Sequence, residues 1–278
     1  MNLPVEQHYS RDHLLEKILA TLEQSGIDIK KLTRKDLSAV DEFHVRGAEV
    51  TIELAQQARL QKDMHVLDVG CGIGGPCRLL ADEYGCMTTG IDITQEYIRT
   101  AIALSELTGL SDRTHFIHGS ALQLPFAANS FDSAWTQHVQ MNIADKKQFY
   151  AEITRVLKPG GRFVYYDIFS IGHQAISFPV PWAGTADLSH LQTIDEVRDR
   201  FAENDLQVIT TTDQTSSGIV FFKRLLERIA TQGAPPVSLQ LLIGESFAEK
   251  IQNLYTSLIE KKIYLESGIC SKAELLTK

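Results

Sequence analysis

Apolar residues recur along this chain with two different periods, and the changes of period mark out its elements. Leu14, Leu15, Ile18, Leu19 and Leu22 fall at helical spacing, with Ser10 placed to cap the start and Gly26 to close the end. Thr33 with Asp36 opens a second short helix, and a third is predicted from about Ala48 to Leu60. From His65 short apolar runs alternate with amphipathic stretches, the pattern of a buried parallel sheet. Strands are predicted at His65–Val69, Met87–Ile91, Thr114–Ile117, Phe131–Thr136 and Gly161–Ile168, with helices at Gly75–Tyr84, Gln95–Leu107 and Asp145–Leu157. Gly109 and the Pro159-Gly160-Gly161 turn stand where helix stops are expected. Thr193 with Glu196 reads as a capping box for a helix ending near Asn204, followed by a strand at Leu206–Thr212.

Two stretches break the alternation. Asp167 to Ser189 is a long connection carrying Phe178, Pro179, Pro181 and Trp182, a length expected of a lid or binding loop. Helices are predicted around Ile219–Ala230 and Ser238–Tyr264, ahead of an alternating piece, Ile269, Ser271, Ala273 and Leu275, that reads as a closing strand. The organisation expected is an N-terminal helical cap over 1–60, an α/β domain over 61–213 and 265–278, and a helical insertion over 214–264 that covers the ligand edge of the sheet.

Length agrees: 278 residues suit one α/β core with about 80–120 residues of accessory structure. A hydrophobic share of 44% against 22% charged excludes a disordered or low-complexity chain. Net charge is −8 and the basic residues are scattered, so the footprint of a nucleic-acid partner is missing. No apolar run reaches the roughly 18 residues of a membrane helix, and the first residues lack the marks of a signal peptide, so no membrane association and a cytoplasmic location are expected. Cys71, Cys77, Cys86 and Cys270 form no C-x-x-C pair and have no histidine at zinc-ligand spacing; they read as reduced thiols, and no metal is expected. The N-terminal leucine stripe reads as core or subunit contact, which leaves room for a homodimer.

The chemistry concentrates in Val66-Leu67-Asp68-Val69-Gly70-Cys71-Gly72-Ile73-Gly74-Gly75. A strand ending in a glycine-rich turn that opens a helix lets bare backbone approach a nucleotide-like ligand at the carboxyl edge of a sheet. Gly70, Gly72 and Gly75 satisfy G-x-G-x-x-G, and Asp92 ends the next strand, where a carboxylate accepts bonds from both hydroxyls of a ribose. That much serves NAD and an adenosyl ligand alike. Asp68 separates them. Beside a pyrophosphate its charge would be repelled by about 1–4 kcal/mol, whereas beside the ammonium of a methionine moiety it would be attracted.

Asp68-x-Gly70-x-Gly72-x-Gly74 resembles the cofactor motif of class I S-adenosylmethionine-dependent methyltransferases. Gly90-Ile91-Asp92-Ile93, Gly119-Ser120-Ala121-Leu122-Gln123-Leu124-Pro125-Phe126, Phe131-Asp132-Ser133-Ala134-Trp135 and Val156-Leu157-Lys158-Pro159-Gly160-Gly161 follow in that family's order. The resemblance covers about His65 to Ile168 and implies a doubly wound Rossmann-like sheet of about seven strands, the last antiparallel. It places Asp68, Gly70 and Gly72 around the methionine part, Asp92 on the ribose, Ile93 on an adenine face, and the backbone of Ser120, Ala121 and Leu122 at the adenine edge. Ser120 departs from the pattern, which has Asp there; a hydroxyl accepts from the exocyclic amine less strongly than a carboxylate. The rest resembles small-molecule enzymes such as sarcosine and dimethylglycine N-methyltransferases. Trp135 to Asn142 then holds cofactor and substrate contacts, with Gln137 on the cofactor and Asn142 on the substrate. Asp41-Glu42-Phe43-His44-Val45-Arg46-Gly47 looks like the segment over the methionine end, with His44 a cofactor contact, and Tyr9 like a tyrosine that closes on the site.

A sulfonium cofactor is already an activated electrophile, so the protein needs to align reactants, exclude water and, for some acceptors, remove a proton. His138 is the candidate base because it titrates near neutral pH and stands at the crevice edge. Tyr166 is a second candidate, and Asp167, Phe178 and Trp182 are candidate acceptor contacts, the aromatic pair as a cation cage. An amine is the first acceptor expected, then a hydroxyl or an activated carbon. The rival readings are an NAD(P)-dependent oxidoreductase, which leaves Asp68 unexplained, and a catalytically silent cofactor-binding subunit.

Overall fold

In a computed structural model, which describes residues 3–233 and 235–274, a seven-stranded sheet forms the centre of the chain. Its strands are β1 (His65–Val69), β2 (Met87–Asp92), β3 (Thr114–His118), β4 (Phe131–Gln137), β5 (Leu157–Ser170), β6 (Leu206–Asp213) and β7 (Ile263–Lys272), in the order β3-β2-β1-β4-β5-β7-β6. Strands β1 to β5 pair in parallel, and β7 runs antiparallel between β5 and β6. Strand order reverses between β1 and β4, the place where open α/β sheets leave a crevice at their carboxyl ends.

Alternate side chains feed two cores. Val66, Trp135, Val164 and Tyr166 face α4 (Ala48–Gln57) and α5 (Gly75–Tyr84), together with α9 (Thr215–Gln232) and α11 (Phe247–Ile259). Their neighbours Leu67, Ala134, Phe163 and Tyr165 face α7 (Lys146–Val156) and α8 (Ile194–Glu203). This two-sided burial explains why the central strands read as continuous apolar runs. A smaller core joins α2 (Leu14–Gln24) through Leu14, Ile18 and Leu22 to Tyr97 and Leu104 of α6 (Gln95–Leu107).

Four local expectations need correction. Ser10 does not cap α2: its N–H closes an earlier helix, α1 (Leu3–Tyr9), on the Glu6 carbonyl at 2.9 Å, and His13 with φ 56° precedes α2. The Thr33–Asp36 capping box opens a 3-10 turn, Arg34–Leu37, which runs into the single turn α3 (Ser38–Asp41). Pro159-Gly160-Gly161 is an irregularity within β5, whose pairing with β4 jumps from Phe131 opposite Leu157 to Ser133 opposite Arg162. The helix expected over 238–264 divides into α10 (Gln240–Ile243) and α11, and β7 begins at Ile263, where the helical reading still ran. Leu265 to Cys270 are buried on both faces, so the first part of β7 shows no alternation, and the pattern that marks the closing strand starts only at Ile269. Leu275, assigned to that strand, lies outside the described residues.

Candidate active site

β1 delivers Asp68 to the carboxyl edge of the sheet, and the chain then turns through Gly70 to Gly74 into α5. The turn is pinned by the Gly70 N–H donating to the Ile91 carbonyl at 2.7 Å and the Gly74 N–H donating to the Cys71 carbonyl at 2.9 Å. Gly70 has φ 79°, and a Cβ there would collide with Val139. Gly72 has φ 55° and a Cβ would meet nothing within 4 Å, so its bare backbone faces open space. Asp92, ending β2, accepts from the Gly72 N–H at 2.9 Å and the Thr94 N–H at 2.8 Å, which ties the turn to the next strand. Burial raises its pKa against those two bonds. Asp68 is buried without a cation beside it; burial, reinforced by Glu42 and Asp92, lifts its carboxyl to about 7 despite the Cys77 thiol donating at 3.5 Å.

These groups open into one cavity of about 270 Å³, close to the ~300 Å³ lower bound of small-molecule sites. Asp68, Gly70, Gly72, Asp92 and Ile93 line it together with the turn Ser120–Leu122, where the Ser120 hydroxyl accepts from the Leu122 N–H at 3.2 Å. Tyr9, His44, Gln137, His138, Asn142 and Trp182 also line it.

The segment from Asp41 to Gly47 is held against this edge by two buried polar clusters. Arg78 of α5 is ion-paired with Asp41 and donates to the carbonyls of Ile73 at 2.7 Å and Ala101 at 3.2 Å. Burial outweighs that pairing and lifts Asp41 to about 6. Glu42 and His44 meet at 2.7 Å, and the Thr51 hydroxyl donates to the same Glu42 oxygen at 2.8 Å. The other His44 nitrogen sits 3.4 Å from the Val45 carbonyl, so both ring nitrogens are engaged within the protein. The Gln137 amide accepts from Trp135 Nε1 at 2.8 Å and donates to Thr51 at 3.1 Å.

His138 differs from His44. Its backbone is left-handed, φ 54°, and its N–H donates to the Tyr166 carbonyl at 2.7 Å. Its Nε2 is buried with no partner, and burial, with His44 adding to it, holds its pKa well below the ordinary histidine value. Histidine at positive φ is uncommon enough to mark a position fixed by its surroundings.

Three predicted residues do not reach the cavity wall. Tyr166 packs behind it, 4.7 Å from the His138 ring and 6.0 Å from the His44 ring, with its hydroxyl buried and unpartnered. Asp167 turns to the loop after β4, accepting from the Gln140 N–H at 3.3 Å; burial lifts it to about 7. Both lie on a strand covered on its two faces, so standing at a strand end did not bring them to the ligand edge. Phe178 is half-buried against the larger core and does not line the cavity, so it is not the ring that pairs with Trp182 there. Asn142 has both amide atoms bonded, accepting from the Tyr9 hydroxyl at 2.8 Å and donating to the Trp182 carbonyl at 2.8 Å and the Leu188 carbonyl at 3.1 Å. The wall that sequence reasoning missed is apolar: Met141, Phe222, Leu225, Ile243, Ile251 and Leu254. Its signal was the helical spacing of the insertion, which marks a buried face without saying what it faces.

Residues 67–165 match the family model of a methyltransferase domain, and this stretch holds the glycine turn and, from Leu67 on, β1 to β4 of the sheet. The chain is 39% identical over 114 residues to a sterol 24-C-methyltransferase of Gibberella zeae, covering 41% of this chain and 30% of that protein. It spans less than half the length of the curated relatives it matches. Among solved structures, one from Galdieria sulphuraria offered as a sarcosine dimethylglycine methyltransferase superposes with a TM-score of 0.68 at 18% identity, over 93% of this chain and 99% of that one. The 4+2 cyclase SpnF superposes with a TM-score of 0.67 at 20% identity, over 94% and 93%. Such likeness establishes the fold; a cyclase and a methyltransferase share it. Among the described residues no helix is long and apolar enough to cross a membrane.

Proposed function

We propose that this chain binds S-adenosylmethionine in the glycine-lined half of the cavity and directs its methyl group onto a small molecule held in the other half. The observation that carries this reading is the meeting of bare Gly72 backbone, Asp68 and Asp92 in one cavity at the β1/β4 switch point. These residues fit the cofactor. Asp92 keeps lone pairs on both oxygens for ribose hydroxyls, and Asp68 awaits a cation that would restore its charge. Ile93 and the Ser120–Leu122 turn are placed to bracket the adenine, while His44 and Gln137, locked by Glu42 and Thr51, hold the methionine end.

When bound, S-adenosylmethionine supplies the activated methyl group as a sulfonium. The protein's part is alignment, with effective molarities equivalent to about 7–11 kcal/mol in favourable cases. Tyr9, fixed on Asn142, closes the cavity from the N-terminal side and excludes water. His138 is neutral at neutral pH, and its nitrogens orient the acceptor or take its proton.

Incubation with methyl-labelled cofactor and pooled small-molecule extracts tests the reading: label is expected in a low-molecular-mass product. His138→Asn, which tolerates the left-handed backbone, lowers turnover by at least about 100-fold with cofactor affinity nearly unchanged. Asp92→Ala weakens cofactor binding by about 10- to 100-fold. Equal loss of affinity in both variants would make His138 a cofactor contact. Tight cofactor binding with label transferred to nothing would leave a silent binding protein.

A further inference from the structure

We propose that the acceptor is an uncharged, mainly hydrocarbon molecule whose body lies against the helices between β6 and β7; this rests on the methyl-transfer reading for the neighbouring half of the cavity. The two halves of the cavity differ in kind. Phe222 and Leu225 of α9, Ile243 of α10, Ile251 and Leu254 of α11 and Trp182 of the 171–193 connection form a continuous apolar wall. The charged side chains that touch the cavity stand elsewhere. Asp41 is paired with Arg78, and Asp68 and Asp92 flank the glycine turn. Asp145 caps α7 by accepting from the Gln148 N–H at 3.0 Å, beside the Ser120–Leu122 turn.

Polar atoms near the apolar wall are already bonded. Asn142 uses its amide on Tyr9, Trp182 and Leu188, and Trp182 Nε1 donates to Ser189 Oγ at 3.0 Å. Arg11 and Lys250 approach α10 from its outer side and both donate to the Ile243 carbonyl, at 2.8 and 3.1 Å, without lining the cavity. A protonated amine or a carboxylate entering here would shed its water and find no counter-charge, a penalty that a hydrocarbon body escapes. Among the described residues, His138 Nε2 and the Tyr97 hydroxyl are the buried unpartnered side-chain atoms of the cavity lining, and both are neutral groups that can meet a hydroxyl but offer no counter-charge. Of the acceptors expected from sequence, amine, hydroxyl or activated carbon, this wall favours a hydroxyl or a carbon on an apolar body.

Three chains of one length test this: 1-decanol, 1-decylamine and decanoate at pH 7.4, titrated against the full chain with the intrinsic fluorescence of Trp135 and Trp182 as the reporter. Decanol is expected to bind at least about tenfold more tightly than either charged chain. Leu225→Glu, at a half-buried position, should invert the order, favouring decylamine over decanol. Leu225→Gln should weaken decanol without gaining decylamine, which separates a charge effect from damage to the fold. S-adenosylhomocysteine is titrated in parallel and should bind all three proteins within about a twofold range. Decylamine or decanoate matching decanol on the unmodified chain, with S-adenosylhomocysteine binding intact, overturns this inference alone. Decanol preference without any S-adenosylhomocysteine binding overturns the methyl-transfer reading instead.

Discussion

Asp68 stands two residues before the first glycine, 2% exposed, with a carboxyl that burial has lifted to about 7. Its free form therefore holds a proton for much of the time at pH 6 and little at pH 8. A cation bound alongside favours the ionised form, so binding of S-adenosylmethionine should expel that proton. Affinity then rises with pH between 6 and 7.5, by up to roughly tenfold, below the ~7.7–8.0 at which an α-amino group itself titrates. Calorimetry in two buffers of different ionisation heat measures the released proton, and Asp68→Asn should abolish both the release and the pH dependence. An unchanged pH profile in that variant would remove Asp68 from the ammonium site. The position of this residue was legible in the sequence because charge beside a glycine turn is chemically selective. The place of His138 at the crevice edge was legible, but its left-handed backbone and unpartnered Nε2 were not, since they depend on how the chain leaving β4 lies against Tyr166 of β5.

At the scale of elements, α5 is fastened by Arg78, which joins α3, the glycine turn and α6 through Asp41, Ile73 and Ala101. The pair is buried, 0% and 3% exposed at the side chains, so removing one partner strands the other. Arg78→Ala is expected to destabilise the chain by about 3–5 kcal/mol in urea unfolding. A loss below about 1 kcal/mol would show that α5 is held by its apolar face alone. Helices and strands of the alternating region were readable because their periods differ and glycines punctuate them. α1 was not, since seven residues are too short for a periodic signal. The antiparallel closing strand was legible from Ile269 on, but its first half, Ile263 to Gly268, was not, because burial on both faces erases alternation there. Asp167 was misplaced for a related reason: on a strand covered from both sides, sequence position does not tell the ligand edge from the core.

Across the whole molecule, the parallel sheet supplies the glycine turn and the carboxylates, and the helices between β6 and β7 supply the apolar wall opposite. The division explains why the cofactor half could be read from sequence and the acceptor half could not. Glycine and aspartate at fixed spacing carry chemical information, whereas Phe222, Leu225 and Ile251 look like any core. It also gives the acidic balance, net −8, a limited meaning: the acids lining the cavity pair with Arg78, cap α7 or flank the glycine turn. The central claim is that the cavity is built for S-adenosylmethionine rather than a dinucleotide. Calorimetric titration of the unmodified chain with S-adenosylmethionine and separately with NADH tests it most directly. The account predicts one saturable S-adenosylmethionine site per chain and no NADH heat at matched concentration; saturable NADH binding with no response to S-adenosylmethionine would contradict it.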